Sequence, residues 1–366
     1  MPVGFPTKVN YASGDVLSAA NMNDLSGTVN LLQPMYDNQY AAAKNVVING
    51  GFDVWQRGTS FTGVASGTYT TDRWKTTLTA TGLSCNVTQD TSVPNSKSKY
   101  SIKVLQATNA TGLGEYEVRT LFETSQILQL CGSATTVSFW YRSNLTGQHA
   151  ARLYASPMTG GTDVSISFTV SAANTWEKKV LNFSSFAGVT TASTAPTAEA
   201  AGLSIGFNVF GSASRTTLAA NDYFQIAQVQ LEVGSVNTSF TRASGNISTE
   251  LAACQRYYYR LTPGATYNVF GSGFSNSTTV FLATIPTPVT MRIAPTALEQ
   301  SGTANQYSVF QGSSGLTCSA VPALYHGNTN QQVVSLTVAS GLTIGQAGIA
   351  RTDNNTTAYL GWTAEL

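Results

Sequence analysis

Hydrophobic and polar residues alternate along much of the chain between residues 45 and 245. The alternation is clearest in segments 101–105, 137–141 and 223–233, and clusters of Gly, Asn, Ser and Thr separate such segments. Because successive side chains of a strand point to opposite faces, this pattern is typical of strands with one buried face. It predicts an antiparallel jelly-roll β-sandwich over residues 45–245.

The first 44 residues follow a different pattern. A helix is predicted from Ser18, a suitable N-cap, to about Gln33, just before a proline. Its apolar residues have the spacing of a helical seam: Met22, Leu25, Val29 and Leu32. The seam covers fewer than two heptads, so the helix is marginal alone. Two interpretations remain open, namely a helix packed on its own domain and a segment that self-associates or attaches the molecule to a larger particle.

The pattern changes again after residue 245. Segment 246–257 predicts a connector helix capped by Ser248, with Leu251 and Cys254 on one face. From residue 258 to residue 366 the short alternating segments return, which predicts a smaller C-terminal β domain of about 110 residues. The fold class predicted for the whole chain is therefore all-β, preceded by a short helical segment.

Composition narrows the classes of partner. Only 10% of the 366 residues are charged, against about a quarter in an average soluble domain. The net charge of +1 provides no basic field for nucleic acid. The chain has no apolar run long enough for a membrane helix and no segment resembling a secretory signal, so we expect synthesis in a cytoplasm.

The chemistry-bearing residues are few. Cys85, Cys131, Cys254 and Cys318 are scattered and are expected to be buried free thiols. The two histidines, His149 and His326, have no paired ligand or triad spacing, so both are expected at the surface. No phosphate-binding loop, dinucleotide fingerprint or zinc-protease motif is present. The sequence therefore predicts no enzyme, no cofactor and no metal centre of its own.

Acidic residues are densest at Glu115, Glu117 and Glu123. Paired carboxylates hydrolyse glycosidic bonds, but a solvated strand edge explains this group more simply. Glu115 and Glu117 share one face of an extended segment. Glu123 joins them only if the strand continues in register.

Aromatic residues are the better candidates for binding, because their faces suit the apolar side of a sugar ring. We expect Trp55, Trp74 and Trp140 to pack in the core. The candidates for glycan or interface contact are Trp176, Tyr257, Tyr258 and Tyr259. The three tyrosines are consecutive, so in regular structure they do not all face inward.

One stretch carries most of the recognisable pattern: NVVINGGFDVWQRG at residues 45–58, completed by TTDRW at 70–74. Its β-branched residues 46–48 predict the start of a strand, and the glycines that follow permit a sharp bend. Gln56 and Arg57 are free for hydrogen bonds beside a buried tryptophan. This stretch resembles the opening of a jelly-roll module found in bacteriophage tail fibres, receptor-binding proteins and capsid-attached fibres, which is itself similar to carbohydrate-binding modules. The resemblance continues through segments 136–143, 176–183, 222–235 and 250–260.

The resemblance implies a non-enzymatic fibre or spike component of a bacteriophage virion. Such a protein is expected to be a homotrimer that attaches to capsid or tail through residues 1–44 and presents its β domains to host-surface glycan. Two alternatives remain: a capsid decoration protein without a receptor, and a glycan depolymerase. The resemblance also implies a structural Ca²⁺ near the opening and closing strands, where Asp53 and Asp222 would supply oxygen ligands.

Overall fold

A computed structural model describes these residues of the chain: 45–79, 83–111, 115–127, 130, 133–154, 163–184, 204–208 and 217–366. The predicted N-terminal helix with its seam (Met22, Leu25, Val29 and Leu32) lies outside the described residues, as does Cys131. Within the described ranges the fold is almost entirely antiparallel β-structure, which confirms the predicted fold class. No described helix is both long and apolar enough to cross a membrane.

The first thirteen strands form what we call the first β unit. They are β1 (Ser60–Val64), β2 (Trp74–Leu78), β3 (Cys85–Asp90), β4 (Ser101–Gln106), β5 (Ala110–Thr111), β6 (Tyr116–Leu121), β7 (Thr135–Ser143), β8 (Gly147–Tyr154), β9 (Val164–Val170), β10 (Glu177–Phe183), β11 (Ser204–Asn208), β12 (Thr217–Leu218) and β13 (Tyr223–Val233). A six-stranded sheet has the order β1-β3-β4-β13-β7-β10 and a five-stranded sheet the order β2-β6-β11-β8-β9. The chain crosses repeatedly between the two sheets, which gives a jelly-roll-like sandwich.

The hydrophobic core of this unit lies between the two sheets. Phe139 of the six-stranded sheet packs edge-on against Phe168 and Phe207 of the five-stranded sheet, with ring centroids 5.2 and 4.7 Å apart. Trp74 is fully buried beside Phe52, 5.0 Å away between centroids. Large apolar side chains from the inner face of both sheets thus remove this surface from water.

His149 does not lie at the surface, so that prediction was wrong. It occupies a core-facing position of β8 and is fully buried, and its ring stacks on Phe168. Both ring nitrogens meet polar partners: Nδ1 lies 2.9 Å from the Tyr141 hydroxyl and Nε2 lies 3.1 Å from the Leu145 carbonyl oxygen. A histidine satisfied in this way can replace an apolar residue in a core. His326, in contrast, is exposed as predicted.

The second β unit contains ten strands. They are β14 (Tyr258–Leu261), β15 (Val269–Ser275), β16 (Val280–Pro286), β17 (Leu298–Gln300), β18 (Tyr307–Gln311), β19 (Ser314–Thr317), β20 (Ala323–Gly327), β21 (Gln331–Thr337), β22 (Ala347–Thr352) and β23 (Leu360–Thr363). The three-stranded sheet has the order β14-β23-β17 and the seven-stranded sheet the order β19-β18-β22-β15-β16-β21-β20. A separate hydrophobic cluster, which includes Tyr307 and Trp362, fills this unit.

The described helices are short: α1 (Thr124–Ile127), α2 (Ile247–Gln255) and a 3₁₀ turn, η1 (Ala304–Gln306). The N-cap of α2 is Asn246 and not Ser248, because the Asn246 side chain accepts hydrogen bonds from the backbone N–H groups of Ser248 and Thr249. Both residues lie in α2 three positions apart, so they share a face as predicted, but Cys254 is fully buried whereas Leu251 is 37% exposed.

The prediction for the cysteines is confirmed for the described ones, whereas the prediction for residues 46–48 is wrong. Cys85, Cys254 and Cys318 are buried free thiols, as predicted. Residues 46–48 do not start a strand: they enter a turn, and Val46 joins β13 through the hydrogen bond from its N–H to the Leu231 carbonyl oxygen, 3.1 Å long.

Candidate functional site

The turn that follows residue 48 is built around Asn49. This residue is fully buried and has φ of +57°, a conformation that asparagine tolerates better than most residues. Its side-chain Nδ2 donates to the carbonyl oxygens of Val54 and Asp72, both at 2.9 Å, and its Oδ1 accepts from the Val54 N–H at 3.0 Å. Its own N–H donates to Glu250 at 2.5 Å. Asn49 therefore joins the opening turn, the 70–74 segment and α2.

The next residue, Gly50, packs closely against a bulge in β13. The N–H of Val229 donates to the Gly50 carbonyl oxygen at 2.8 Å, and a Cβ at Gly50 would lie 2.2 Å from the Val229 carbonyl oxygen. The register between β13 and β7 shifts between Ala227 and Gln230. Within this bulge Gln228 has φ of +54°, which is strained for a side-chain-bearing residue. The bulge re-aims the Gln228 side chain toward the outer face of the six-stranded sheet.

Two adjacent cavities lie on that outer face. One has a volume of about 600 Å³ and is lined by Lys97, Lys99 and Arg242 among others. The second, of about 120 Å³, is lined by Trp140, Lys178 and Gln228 among others. Lys97 and Phe240 line both, so the cavities are contiguous. We call them together the outer cleft.

Strand alternation places the ring of Trp140 in the outer cleft. On β7, Phe139 faces the core, so its neighbour Trp140 faces outward and is partly exposed. Lys178 is its cross-strand partner on β10 and projects from the same face. The prediction that Trp140 packs in the core was therefore wrong, while Trp74 is buried as predicted and Trp55 packs against the core.

Trp176 lies just before β10, two residues from Lys178 and on the same outer face. It is partly exposed, and its Nε1–H donates to the Ser92 hydroxyl at 3.2 Å. Arg142 donates to the same hydroxyl, also at 3.2 Å. Of the predicted glycan candidates, Trp176 is thus the one beside the six-stranded sheet. Trp176 does not line the two cavities of the outer cleft.

The tyrosine candidates lie elsewhere. Tyr257 and Tyr258 are 1% and 0% exposed, so this conformation gives a glycan no access to them. The guanidinium groups of Arg73 and Arg57 cover their rings at 3.5 and 3.4 Å from the centroids. These contacts lie between the two β units. Tyr259 stacks on Trp362 in the second β unit, with centroids 5.7 Å apart.

The acidic group separates into different clusters. Glu117 is buried on β6, where it accepts from Arg119 Nε at 2.7 Å and from the Tyr154 hydroxyl at 2.8 Å. Burial raises the pKa of the Glu117 carboxyl, and Arg119 and Tyr154 oppose that rise.

Glu115 belongs to the same cluster as Glu117, because it lies 3.9 Å from Arg119 and also binds Arg152 at 2.8 Å. Glu123 faces a different partner set at the end of α2, where it accepts from the Tyr257 hydroxyl at 2.6 Å and pairs with Arg256 at 3.2 Å. The three carboxylates are thus engaged in ion pairs and do not form one group.

The two calcium candidates also have protein partners. Asp53 forms an ion pair with Arg242, 2.8 Å between Oδ2 and Nε. Asp222 accepts from the Asn144 amide at 3.1 Å and from the Ala219 N–H at 2.8 Å. Among the described residues no group of three or more His, Cys, Asp or Glu side chains is placed to hold a metal ion. The calcium prediction therefore gains no support from these positions.

Comparisons with known proteins give only distant likenesses. No protein-family model matches the chain, and no curated protein matches it. Among solved structures, it is similar to TmCBM61 in complex with β-1,4-galactotriose, at 13% identity and a TM-score of 0.32, over 52% of this chain and 99% of that one. It is also similar to the family 11 carbohydrate-binding module from Clostridium thermocellum, at 11% identity and a TM-score of 0.29, over 49% and 99%.

A third similar structure is the enzymatically active domain of bacteriophage CBA120 tailspike protein 4, at 16% identity and a TM-score of 0.31. That match covers 52% of this chain and 21% of the tailspike chain. At these identities and TM-scores, the likenesses identify neither a ligand nor an activity for this chain.

Proposed function

We propose that this chain is a carbohydrate-binding β protein that takes its ligand in the outer cleft. The observation that carries the proposal is the partly exposed ring of Trp140, which lines the cleft beside Phe240 and the amides of Asn95 and Gln228. An aromatic face suits the apolar side of a pyranose, and amide and hydroxyl groups satisfy its OH groups. The combined cavity volume is in the range of small-ligand sites.

The same proposal gives the chain a place in a bacteriophage virion, as a fibre or spike component. Its support is the motif at residues 45–58 and 70–74 and the low charge of the chain. In this proposal residues 1–44 attach a homotrimer to capsid or tail, and three weak cleft sites act together. Linked sites gain about 10² to 10⁴ in avidity over one site.

Glycan binding is tested with Trp140→Ala on a panel of bacterial surface polysaccharides. We expect affinity to fall about tenfold, because stacking of a nucleobase on an aromatic side chain contributes about 1 to 3 kcal/mol and we expect a sugar ring to lie at the lower end of that range. Tyr325→Ala removes an exposed aromatic of the second β unit and is the matched control. Equal loss in both variants, or no polysaccharide bound by the native chain, contradicts the proposal.

The virion role has separate tests. Light scattering should give a trimer, and imaging of particles labelled at the C-terminus should place the chain on projecting fibres. Unaltered adsorption combined with weakened capsids in particles that lack the protein would favour a decoration protein instead.

The proposal describes a binder and not a hydrolase, because the carboxylates of Glu115 and Glu117 are held by arginines. Incubation of the protein with bound polysaccharide should release no new reducing ends. Their release would favour the depolymerase.

A further inference from the structure

The cations of the outer cleft are mostly unneutralised. Four cationic side chains line it, namely Lys97, Lys99, Lys178 and Arg242, in a chain with 19 lysines and arginines in all. Among the described residues, only Arg242 of these four forms an ion pair, with Asp53. No carboxylate is among the described residues that line the two cavities. Positive potential is therefore concentrated where the proposed ligand binds.

We infer that the outer cleft binds an acidic polysaccharide, with carboxylate or phosphate groups carried along a chain of sugar rings. This inference rests on the proposed function, because it specifies the class of glycan for the same site. A neutral glycan would leave several ammonium groups beside it without a counter-charge. An acidic one places an anion beside each ring that stacks on an aromatic side chain.

The register of the strands matches such a ligand. Lys178 on β10 is the direct partner of Trp140 on β7, and side chains at paired positions have Cβ atoms about 5 Å apart. A sugar ring on Trp140 therefore has an ammonium group within reach of a carboxylate on that ring. Lys97 lines both cavities and can meet the next anionic group along the polymer.

Gln228 fixes the loop that carries Lys97. Its side chain is 3% exposed, and its Nε2 donates to Asn95 Oδ1 at 2.8 Å and to the Ser98 hydroxyl at 3.0 Å. Asn95 in turn accepts from the Lys97 N–H at 3.0 Å. The strained bulge thus ties the floor of the cleft to the lysine loop, so Gln228 acts as a positioning residue.

The test compares acidic polymers with neutral forms of the same chains. Polygalacturonate and hyaluronan are each paired with their carboxyl-reduced form, and poly(glycerol phosphate) tests phosphate as the source of charge. Calorimetric titration of the full chain should show binding of at least one acidic polymer, at least about tenfold tighter than its neutral form. Affinity should fall as salt rises from 50 to 500 mM, because salt screens exposed charges.

Lysine variants test whether the outer cleft is the site that binds the acidic polymer. Lys97→Gln and Lys178→Gln should each weaken acidic-polymer binding about two- to fivefold, the range for one exposed charge contact. Both lysines are exposed, so the variants should fold, and melting curves are to be recorded to check this. Lys75→Gln removes the same charge from the five-stranded sheet and should leave binding unchanged.

The outcomes separate the two proposals. Equal binding of acidic and neutral forms, with loss in Trp140→Ala, overturns the acidic class but keeps carbohydrate binding. Acidic binding that survives the double variant K97Q/K178Q overturns the assignment to this cleft. No binding of any polymer, acidic or neutral, overturns both proposals. Equally tight binding of single-stranded DNA, lost in K97Q/K178Q, would identify a nucleic-acid site instead.

Discussion

Of the glycines in the opening turn, Gly50 has the least space for a side chain. A Cβ there would lie 2.2 Å from the Val229 backbone oxygen, and backbone in a central strand does not move aside cheaply. We expect Gly50→Ala to lower the free energy of unfolding by about 3 kcal/mol, as overpacking in a well-packed core does. Denaturant unfolding measures the loss.

The neighbouring glycine provides the control for that substitution. In Gly51→Ala the new Cβ would meet the Asp53 carboxylate at 2.6 Å, which is a side chain and can rotate. The expected loss is therefore smaller, about 1 kcal/mol. If both variants lose the same stability, the close approach of residue 50 to β13 is not the reason that this position requires glycine.

Asp72 makes stability depend on pH. Burial raises its pKa to about 6 from an ordinary value of 3.8, although Arg57 and hydrogen bonds from Gln56 oppose the rise. A raised pKa means that the folded state holds the proton more tightly. This group therefore contributes stability that is full below about pH 4 and is lost as pH rises through about 6.

Asp72→Asn removes that titration. Between pH 4 and pH 7, the free energy of unfolding of the native chain should fall by about 2 to 3 kcal/mol relative to the variant. Denaturant melts of both proteins at four pH values test this. A difference that stays constant over the range would show that Asp72 has an ordinary pKa.

The sequence could have revealed some of these residues and not others. Phe139 and Trp140 are adjacent in an alternating segment, and adjacent side chains of a strand face opposite ways. One of them had to face outward, so the alternation could have predicted an outward-facing aromatic residue in β7. The alternation could not have predicted that His149 is buried, because its burial depends on the Tyr141 hydroxyl and the Leu145 carbonyl oxygen as partners of its ring nitrogens. Such partners exist only once strands have paired.

At the scale of elements, alternation predicted the strands well where one face is apolar. Segments 101–105 and 137–141 lie within β4 and β7, and segment 223–233 coincides with β13. Alternation did not predict residues 46–48, whose β-branched composition favours a strand. Asn49 overrides that preference locally, because its buried hydrogen bonds and left-handed backbone require a turn.

The start of α2 provides a test at the same scale. Asn246→Ala removes the side chain that accepts from two N–H groups of the first turn, so we expect a loss of about 1 kcal/mol of stability. Ser248→Ala, at the position that pattern alone favoured for the cap, should change stability by less than about 0.5 kcal/mol. Thermal melts of the two variants show which residue is the N-cap. A larger loss of stability in Ser248→Ala than in Asn246→Ala would identify Ser248 as the N-cap.

At the scale of the whole molecule, the contact between the two β units comes from residues far apart in sequence. Gln56 Nε2 donates to the Tyr258 carbonyl oxygen at 2.7 Å, and Arg260 donates to the Arg57 carbonyl oxygen at 2.6 Å. Arg73 forms an ion pair with Glu365, 292 residues away. The sequence indicated that Gln56 and Arg57 were available for hydrogen bonds. It gave no signal for their partners, because periodicity does not encode contacts between separate sheets.

The ion pair between Arg73 and Glu365 is a buried contact between the two β units, and we expect it to couple their unfolding. Their side chains are 1% and 5% exposed, and the Arg73 guanidinium also packs on Tyr257. In Glu365→Gln a buried guanidinium loses its counter-charge, which costs about 3 kcal/mol when one partner of such a pair is removed. Glu365 also pairs with Arg57 at 3.4 Å, so the substitution weakens two contacts between the units, and we expect the calorimetric transition to split in two. Glu177→Gln, in the more exposed pair with Lys179, should cost at most about 1 kcal/mol and keep one transition. A single, unshifted transition in Glu365→Gln would mean that the units are coupled mainly through the apolar and backbone contacts around Tyr257 and Tyr258.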